Sequence, residues 1–236
     1  MTQIKHITAQ IEELCPLTYA EDFDNVGLLV GNDIQTVTGI LVALDCLETT
    51  VDEAIANNCN LIVAFHPIIF KGLKKLNGKN YVERAVIKAV KNDIAIYAMH
   101  TALDNSFKGV SAKMAEMLDL ENTQVLMPQK GHLRKLTTYV PESAADEIRA
   151  ALFEAGAGHI GNYSHCSFNL KGEGTYMGNE HSEPAIGDKG RLETVGENFI
   201  SVIFERHLES KILKALDDTH PYEEVAYDIY SLDNVD

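Results

Sequence analysis

Four residues in the first half of the chain are of types that bind metal or move protons, and they fall at corresponding places. Asp45 ends the run "ILVALD", His66 ends "LIVAFH" and His100 ends "IAIYAMH"; Asp104 follows His100 by four residues in "HTALDN". Imidazole nitrogen and carboxylate oxygen are the donors taken by divalent ions such as zinc, manganese or iron. An ion held there lowers the pKa of its water and generates a nucleophile near neutral pH. Each residue also has a plainer reading. A single histidine at a strand end is more often a hydrogen-bonded structural group than a ligand, since buried polar atoms need partners in any case. Asp45 is placed to cap the next helix, and Asp104 to brace a turn with Asn105. Asp24 and Asn25, in "DNVG", read equally well as a turn before a strand and as contacts to substrate or to water on a metal.

The elements that must position these groups follow from the apolar pattern. Residues 2–14 carry Ile4, Ile7, Ile11 and Leu14 at helical spacing, with Thr2 placed as a cap. A turn-rich segment, "EDFDNVGLLVGND", follows. "GILVALDC", "NLIVAFH" and "IAIYAMH" are apolar runs separated by the helical patterns "TTVDEAIANNC" and "NYVERAVIKAVKND". Strand and helix in alternation predict crossover units and a mostly parallel sheet with flanking helices, an α/β fold. Strands buried on both faces read as unbroken apolar runs, as these do. Ligands of such a sheet bind beyond the carboxyl ends of its strands, where Asp45, His66 and His100 stand.

The pattern changes near residue 130. "MPQKGH" reads as a linker, and the remainder runs strand, helix, two or more strands, helix, strand. That order is the ferredoxin-like split motif, an α+β domain. The predicted domains are 1–130 and 131–236. Pro141 and Glu142 are expected to start the first helix of the second domain and Gly156 to end it. "GEGTYMGN" is glycine-rich but lacks a phosphate loop's strand-to-helix setting, and reads as a hairpin turn. "GRLETVGENFISVIFER" reads as a strand pair. His159, His165 and His181 lack metal-ligand spacing, and Tyr222, Tyr227 and Tyr230 read as packing residues.

Composition narrows the function classes. The chain has 236 residues, 45% of them hydrophobic, and a formal net charge of −15. An acidic chain without basic clusters does not predict a nucleic-acid partner. No apolar run is long enough to cross a bilayer, and the first residues lack the apolar core of a signal peptide. Cys15, Cys46, Cys59 and Cys166 form no CxxC pair, which fits a reducing, cytoplasmic setting.

Several segments in order resemble one family. "DNVGLLVG", "ALDCLETTVDEA", "LIVAFHPIIFKGLKKLNG" and "MHTALDNSFKGV" resemble the Nif-three-like dinuclear metal-centre family, whose members are often named GTP cyclohydrolase I type 2 homologues. "LFEAGAGHIGNYSHCSF", "GEGTYMG", "AIGDKGRLETVGE" and "HPYEEVAYDIYSL" resemble the PII/CutA-like domain inserted in many members. The resemblance implies two metal ions on the edge of the first sheet. Its ligands would be a histidine pair before a proline, the aspartate of an "HT..D" motif, and a late histidine and glutamate. It makes His66 and Asp104 metal ligands. It places His100 among the groups around the metal rather than on it. The positions of Asp45, Asp24 and Asn25 in the sequence make them further candidates for that surround.

The chain departs from the pattern twice. Phe65 stands where the first histidine of the pair is expected, so one ligand is missing. The segment expected to bring the late histidine and glutamate does not follow the second domain, and His220, Glu223 and Glu224 of "HPYEE" match a motif of the insert instead. The chain therefore reads as a fragment or a short form. The expected function is metal-dependent hydrolysis of a nucleotide or another phosphorylated small molecule, with one or two divalent ions per chain. The alternative is a regulatory or scaffold protein that binds metal and assembles into a ring, a homohexamer by resemblance.

Overall fold

The computed structural model describes residues 1–128 and 130–234, so the expected "MPQKGH" linker includes one residue, Gln129, outside the described set. The chain divides into two compact units, Met1–Val125 and Leu126–Asp236. It is a mixed α/β protein with two four-stranded sheets and, among the described residues, seven α-helices.

The first unit begins with helix α1 (Ile4–Leu14). Gln3 rather than Thr2 is its cap, and the Gln3 N–H donates to His6 Nδ1 at 3.1 Å. Within the turn-rich segment lies a strand, β1 (Gly27–Val30). Then come β2 (Ile40–Ala43), α2 (Glu48–Ala56), β3 (Leu61–Ala64), α3 (Tyr81–Lys91), β4 (Ala95–Ala98), α4 (His100–Asp104) and α5 (Val110–Met117). The sheet order is β1-β4-β3-β2. β2 pairs with β3, and β3 with β4, in parallel; β1 lies antiparallel against β4.

β3 and β4 are buried along their whole length, as their apolar runs require. β2 is not: Ile40, Val42 and Leu44 are exposed, Val42 at 73%. Its run is as apolar as the others, but Ile40 and Val42 share the face of Leu61 and Val63, and the layer that α1 forms on the central strands does not include them, whereas Leu41 packs on the other face. Two apolar layers enclose the central strands. α2 and α3 bring Val51, Ala54, Ala85, Val86 and Ala89 against Ile62, Ala64 and Ile96. On the other face, Ile4 of α1 packs with Leu61, Val63, Ala95 and Tyr97. Gly31, just past β1, has φ +101°, and a Cβ there would lie 2.7 Å from the Ala95 Cα, so the close approach of β1 to β4 demands glycine.

The second unit runs β5 (Leu133–Pro141), α6 (Ala145–Glu154), β6 (Ser167–Tyr176), β7 (Glu193–Glu205), α7 (Glu209–Thr219) and β8 (Tyr227–Ser231). Its sheet order is β6-β7-β5-β8 and every pairing is antiparallel. α6 and α7 cover one face, packing Ile148, Leu152, Ile212 and Leu216 against Leu136, Val140, Ile200 and Val202.

Three local expectations for this unit are corrected. Pro141 ends β5 instead of opening a helix, and α6 starts at Ala145; Gly156, at φ +109° just after the Ala155 cap, does end it. The "GEGTY" glycines are strand residues of β6, with Gly172 facing Glu197 and Gly174 facing Val195 across the ladder. The expected strand pair near residue 200 is the single 13-residue strand β7. No described helix is long and apolar enough to cross a membrane.

Candidate metal centre

The sheet register explains why the chemistry-bearing residues meet. Ala43, Ala64 and Ala98 lie side by side across the three parallel strands. Asp45, His66 and His100 each stand two residues beyond them. Backbone bonds carry the alignment past the strand ends: His66 N–H donates to Leu44 O at 3.0 Å, and His100 N–H to Phe65 O at 2.9 Å. β1 runs the other way, with Gly27 opposite Ala98, so Asp24 and Asn25 before it reach the same rim.

Two histidine–carboxylate pairs result. His66 Nδ1 lies 2.8 Å from Asp45 Oδ1, with both side chains about half exposed. His100 Nδ1 lies 2.9 Å from both carboxylate oxygens of Asp24, whose side chain is wholly buried. The two imidazole centroids are 5.5 Å apart. Phe65 sits edge-on to both rings, at 4.9 Å from His66 and 5.6 Å from His100. The carboxylate of each pair fixes the ring's orientation, and among the described residues each Nε2 is left without a hydrogen-bond partner.

Asp24 is the hub of the buried pair. Beyond His100 it accepts from the Thr101 hydroxyl, from the Thr101 N–H at 3.1 Å and from the Asn25 N–H at 2.8 Å. Burial alone would push its carboxyl up, but the hydrogen bonds from Thr101, His100 and Asn25 outweigh that and hold it below the usual carboxylate range. Asn25 in turn donates from its side chain to Ile69 O, tying the segment after His66 to the rim. The Thr101 hydroxyl also accepts from the Glu21 N–H at 3.0 Å. Thr101 was not singled out in the sequence, although its position directly after His100 was the signal available.

His100 is not a strand residue. It opens α4 with φ +29°, in a region that non-glycine residues rarely adopt, and the Phe65 and Asp24 bonds hold it there. Asp104 ends the same short helix, one turn on, and is exposed. Its carboxylate makes no hydrogen bond or ion pair among the described residues, and Asn105 donates instead to Tyr19 O and Glu21 Oε1. Asp45 does not cap α2, whose cap is Leu47.

The donor chemistry suits a divalent ion: imidazoles oriented by carboxylates through Nδ1 are the arrangement metal-ligating histidines adopt. The count is incomplete. Among the described residues no group of three or more His, Cys, Asp or Glu side chains is arranged to hold a metal ion.

Comparison with known proteins places this rim in a wider setting. A family model described as Duf34/NIF3 (NGG1p interacting factor 3) matches residues 2–225. A Bacillus subtilis protein named GTP cyclohydrolase 1 type 2 homolog is 41% identical over 230 residues, 97% of this chain and 62% of that protein. A Halalkalibacterium halodurans protein of the same name is 43% identical over 94% of this chain and 60% of its own length. The crystal structure of a Bacillus cereus protein related to NIF3 superposes with a TM-score of 0.82 at 42% identity, covering 99% of this chain and 62% of that one. The chain thus spans about three fifths of the length of these relatives.

Proposed function

The chain belongs to the Duf34/NIF3 family, and from that premise we propose that the rim of its first sheet contributes part of a divalent-metal centre. His66 and Asp104 are the ligands this chain supplies. Asp45 orients His66, and Asp24, braced by Asn25, orients His100 at its side. Zinc, manganese and iron all match these donors, with one or two ions per chain. The remaining coordination positions fall to water, substrate or residues beyond this set. A bound ion would supply Lewis-acid polarisation of a phosphoryl or carbonyl oxygen. The protein groups do the holding: Asp45 on Nδ1 keeps the proton there and presents His66 Nε2 as the donor atom, while Asp24 fixes the orientation of His100 beside it. Phe65 packs edge-on against both imidazoles. The reaction class is hydrolysis of a nucleotide or another phosphorylated small molecule, in the cytoplasm; the four unpaired cysteines support a reducing compartment.

The observation that carries this reading is the pair of carboxylate-oriented imidazoles 5.5 Å apart on one sheet rim. The test is metal content after equilibration with zinc or manganese and desalting. Wild type should retain metal that His66→Ala loses, and Asp45→Asn should weaken retention by about 10-fold or more. Equal metal in wild type and His66→Ala would remove the basis of the proposal.

A second reading rests on the second unit. Its strand–helix–strand–strand–helix–strand order, with β6-β7-β5-β8 all antiparallel, supports reading it as a ferredoxin-like domain, which the sequence motifs liken to the PII/CutA kind. On this reading the chain is a regulatory or scaffold protein assembled as a ring, and sedimentation at a mass of six chains without hydrolase activity would favour it.

A further inference from the structure

The second unit's sheet carries helices on one face only. Along β7, Ile200 and Val202 face α6 and α7, so Glu197 and Phe199 face the other way, as does Tyr139 of β5 opposite Phe199. That open face holds a cavity of about 700 Å³, walled by β6 from Leu170, by the segment 182–185 and by residues 222–224. The volume is that of small-molecule sites generally.

The floor of the cavity is a buried carboxylate. Glu197 is only 9% exposed. Its Oε1 accepts from the Tyr222 hydroxyl at 2.8 Å, and its Oε2 receives no donor from the described residues. Room for that oxygen is made by Gly174, where a Cβ would lie 2.0 Å from it; any side chain would displace the carboxylate. The Tyr222 donor is itself held in place. Its backbone N–H donates to His220 Nδ1, and His220 Nε2–H donates to Tyr139 O, each at 3.1 Å. Both nitrogens of His220 are thereby occupied within the fold.

The surroundings are acidic and aromatic. Glu173, Glu183, Glu223 and Glu224 line the cavity with Glu197, against Lys171 alone, and Lys171 pairs with Glu142 at 3.0 Å. The Tyr139 and Phe199 rings, centroids 5.6 Å apart, line the same cavity. Glu197 Oε2 opens into the cavity and is free to accept from whatever occupies it, and a cation there answers both the charge and the hydrogen-bonding capacity of the carboxylate. Aromatic walls add cation–π attraction. A bare metal ion does not fit, since no group of three carboxylate, imidazole or thiol ligands is arranged for one among the described residues.

We infer that this cavity binds a small organic cation, with an ammonium or amidinium group donating to Glu197 Oε2 and an apolar or aromatic body against Tyr139 and Phe199. The proposal is independent of the metal centre in the first unit.

The probe is benzamidinium, titrated calorimetrically into the full chain, with neutral benzamide and anionic benzoate as shape-matched controls. Benzamidinium should bind at least about 10-fold more tightly than benzamide, and benzoate should not bind. Glu197→Gln, which keeps an acceptor for the Tyr222 hydroxyl, should erase that preference while leaving benzamide unchanged. Tyr222→Phe, which frees Oε1, should keep it. Benzamide binding as tightly as benzamidinium to wild type, undiminished benzamidinium binding to Glu197→Gln, or no heat with benzamidinium at millimolar concentration would each overturn the assignment. The comparison of probes on wild type stands whether or not the variants fold.

Discussion

The two histidine–carboxylate pairs on the first sheet have nearly equal lengths, 2.8 and 2.9 Å, yet they should differ several-fold in their contribution to stability. Consider Asp24→Ala and Asp45→Ala. The Asp24 side chain is wholly buried and accepts from His100, the Thr101 hydroxyl, the Thr101 N–H and the Asn25 N–H. Alanine strands these donors, and an unsatisfied buried donor costs about 1–3 kcal/mol. Some find water through the gap left by the carboxylate, so a loss of about 3–5 kcal/mol is expected, the range for breaking a buried pair. Asp45 and His66 are about half exposed, and a pair of that kind contributes about 0–1 kcal/mol. The assay is native-state hydrogen exchange of the β4 amides, in chelator to remove any metal contribution; it reads the first unit without the second. The reasoning is refuted if Asp24→Ala lies within about 1 kcal/mol of wild type, or if Asp45→Ala is as damaging.

Other consequences are as direct. Cys15 and Cys46 are buried, and burial pushes the Cys46 thiol up to about 11 and raises Cys15 as well, so a thiol reagent at mildly alkaline pH should label Cys59 and Cys166 first. Mass mapping that finds Cys46 labelled as fast as Cys59 would contradict this. Burial pushes the His220 imidazole down, so the unfolded chain binds the extra proton first; the stabilisation is complete above the unfolded value of about 6.5 and is lost as pH falls below it. The melting temperature of wild type should therefore fall more between neutral and mildly acidic pH than that of His220→Gln, and parallel curves would refute the point. Gly31→Ala should destabilise the first unit by about 2 kcal/mol or more, through both its φ of +101° and its collision with Ala95; urea unfolding measures it.

The fold was legible where one physical rule dominated. Unbroken apolar runs identified β3 and β4 because both faces of those strands are covered, and the shared offset of Asp45, His66 and His100 from their strands placed all three on one rim. The same rule misjudged β2, whose side chains are as apolar but of which one face lies outside the layer that α1 forms over the central strands. Gly172 and Gly174 suggested a turn because glycine usually marks one; at Gly174 a neighbouring carboxylate, invisible in local sequence, is what requires the missing side chain. His100 looked like the last residue of a strand, and only the bonds from Phe65 and Asp24 reveal a strained start to a helix. The hub role of Asp24 came from a pairing 76 residues away, which no local pattern encodes.

Val42 and its neighbours give the first sheet an asymmetric border. One margin, β1, turns antiparallel; the other, β2, leaves an oily fringe beside backbone groups with spare hydrogen-bonding valence. The net charge of −15 keeps copies apart at long range, but salt screens that repulsion while leaving the fringe untouched. Added salt should therefore promote contact between copies through this fringe, whereas dilute buffer should keep them apart.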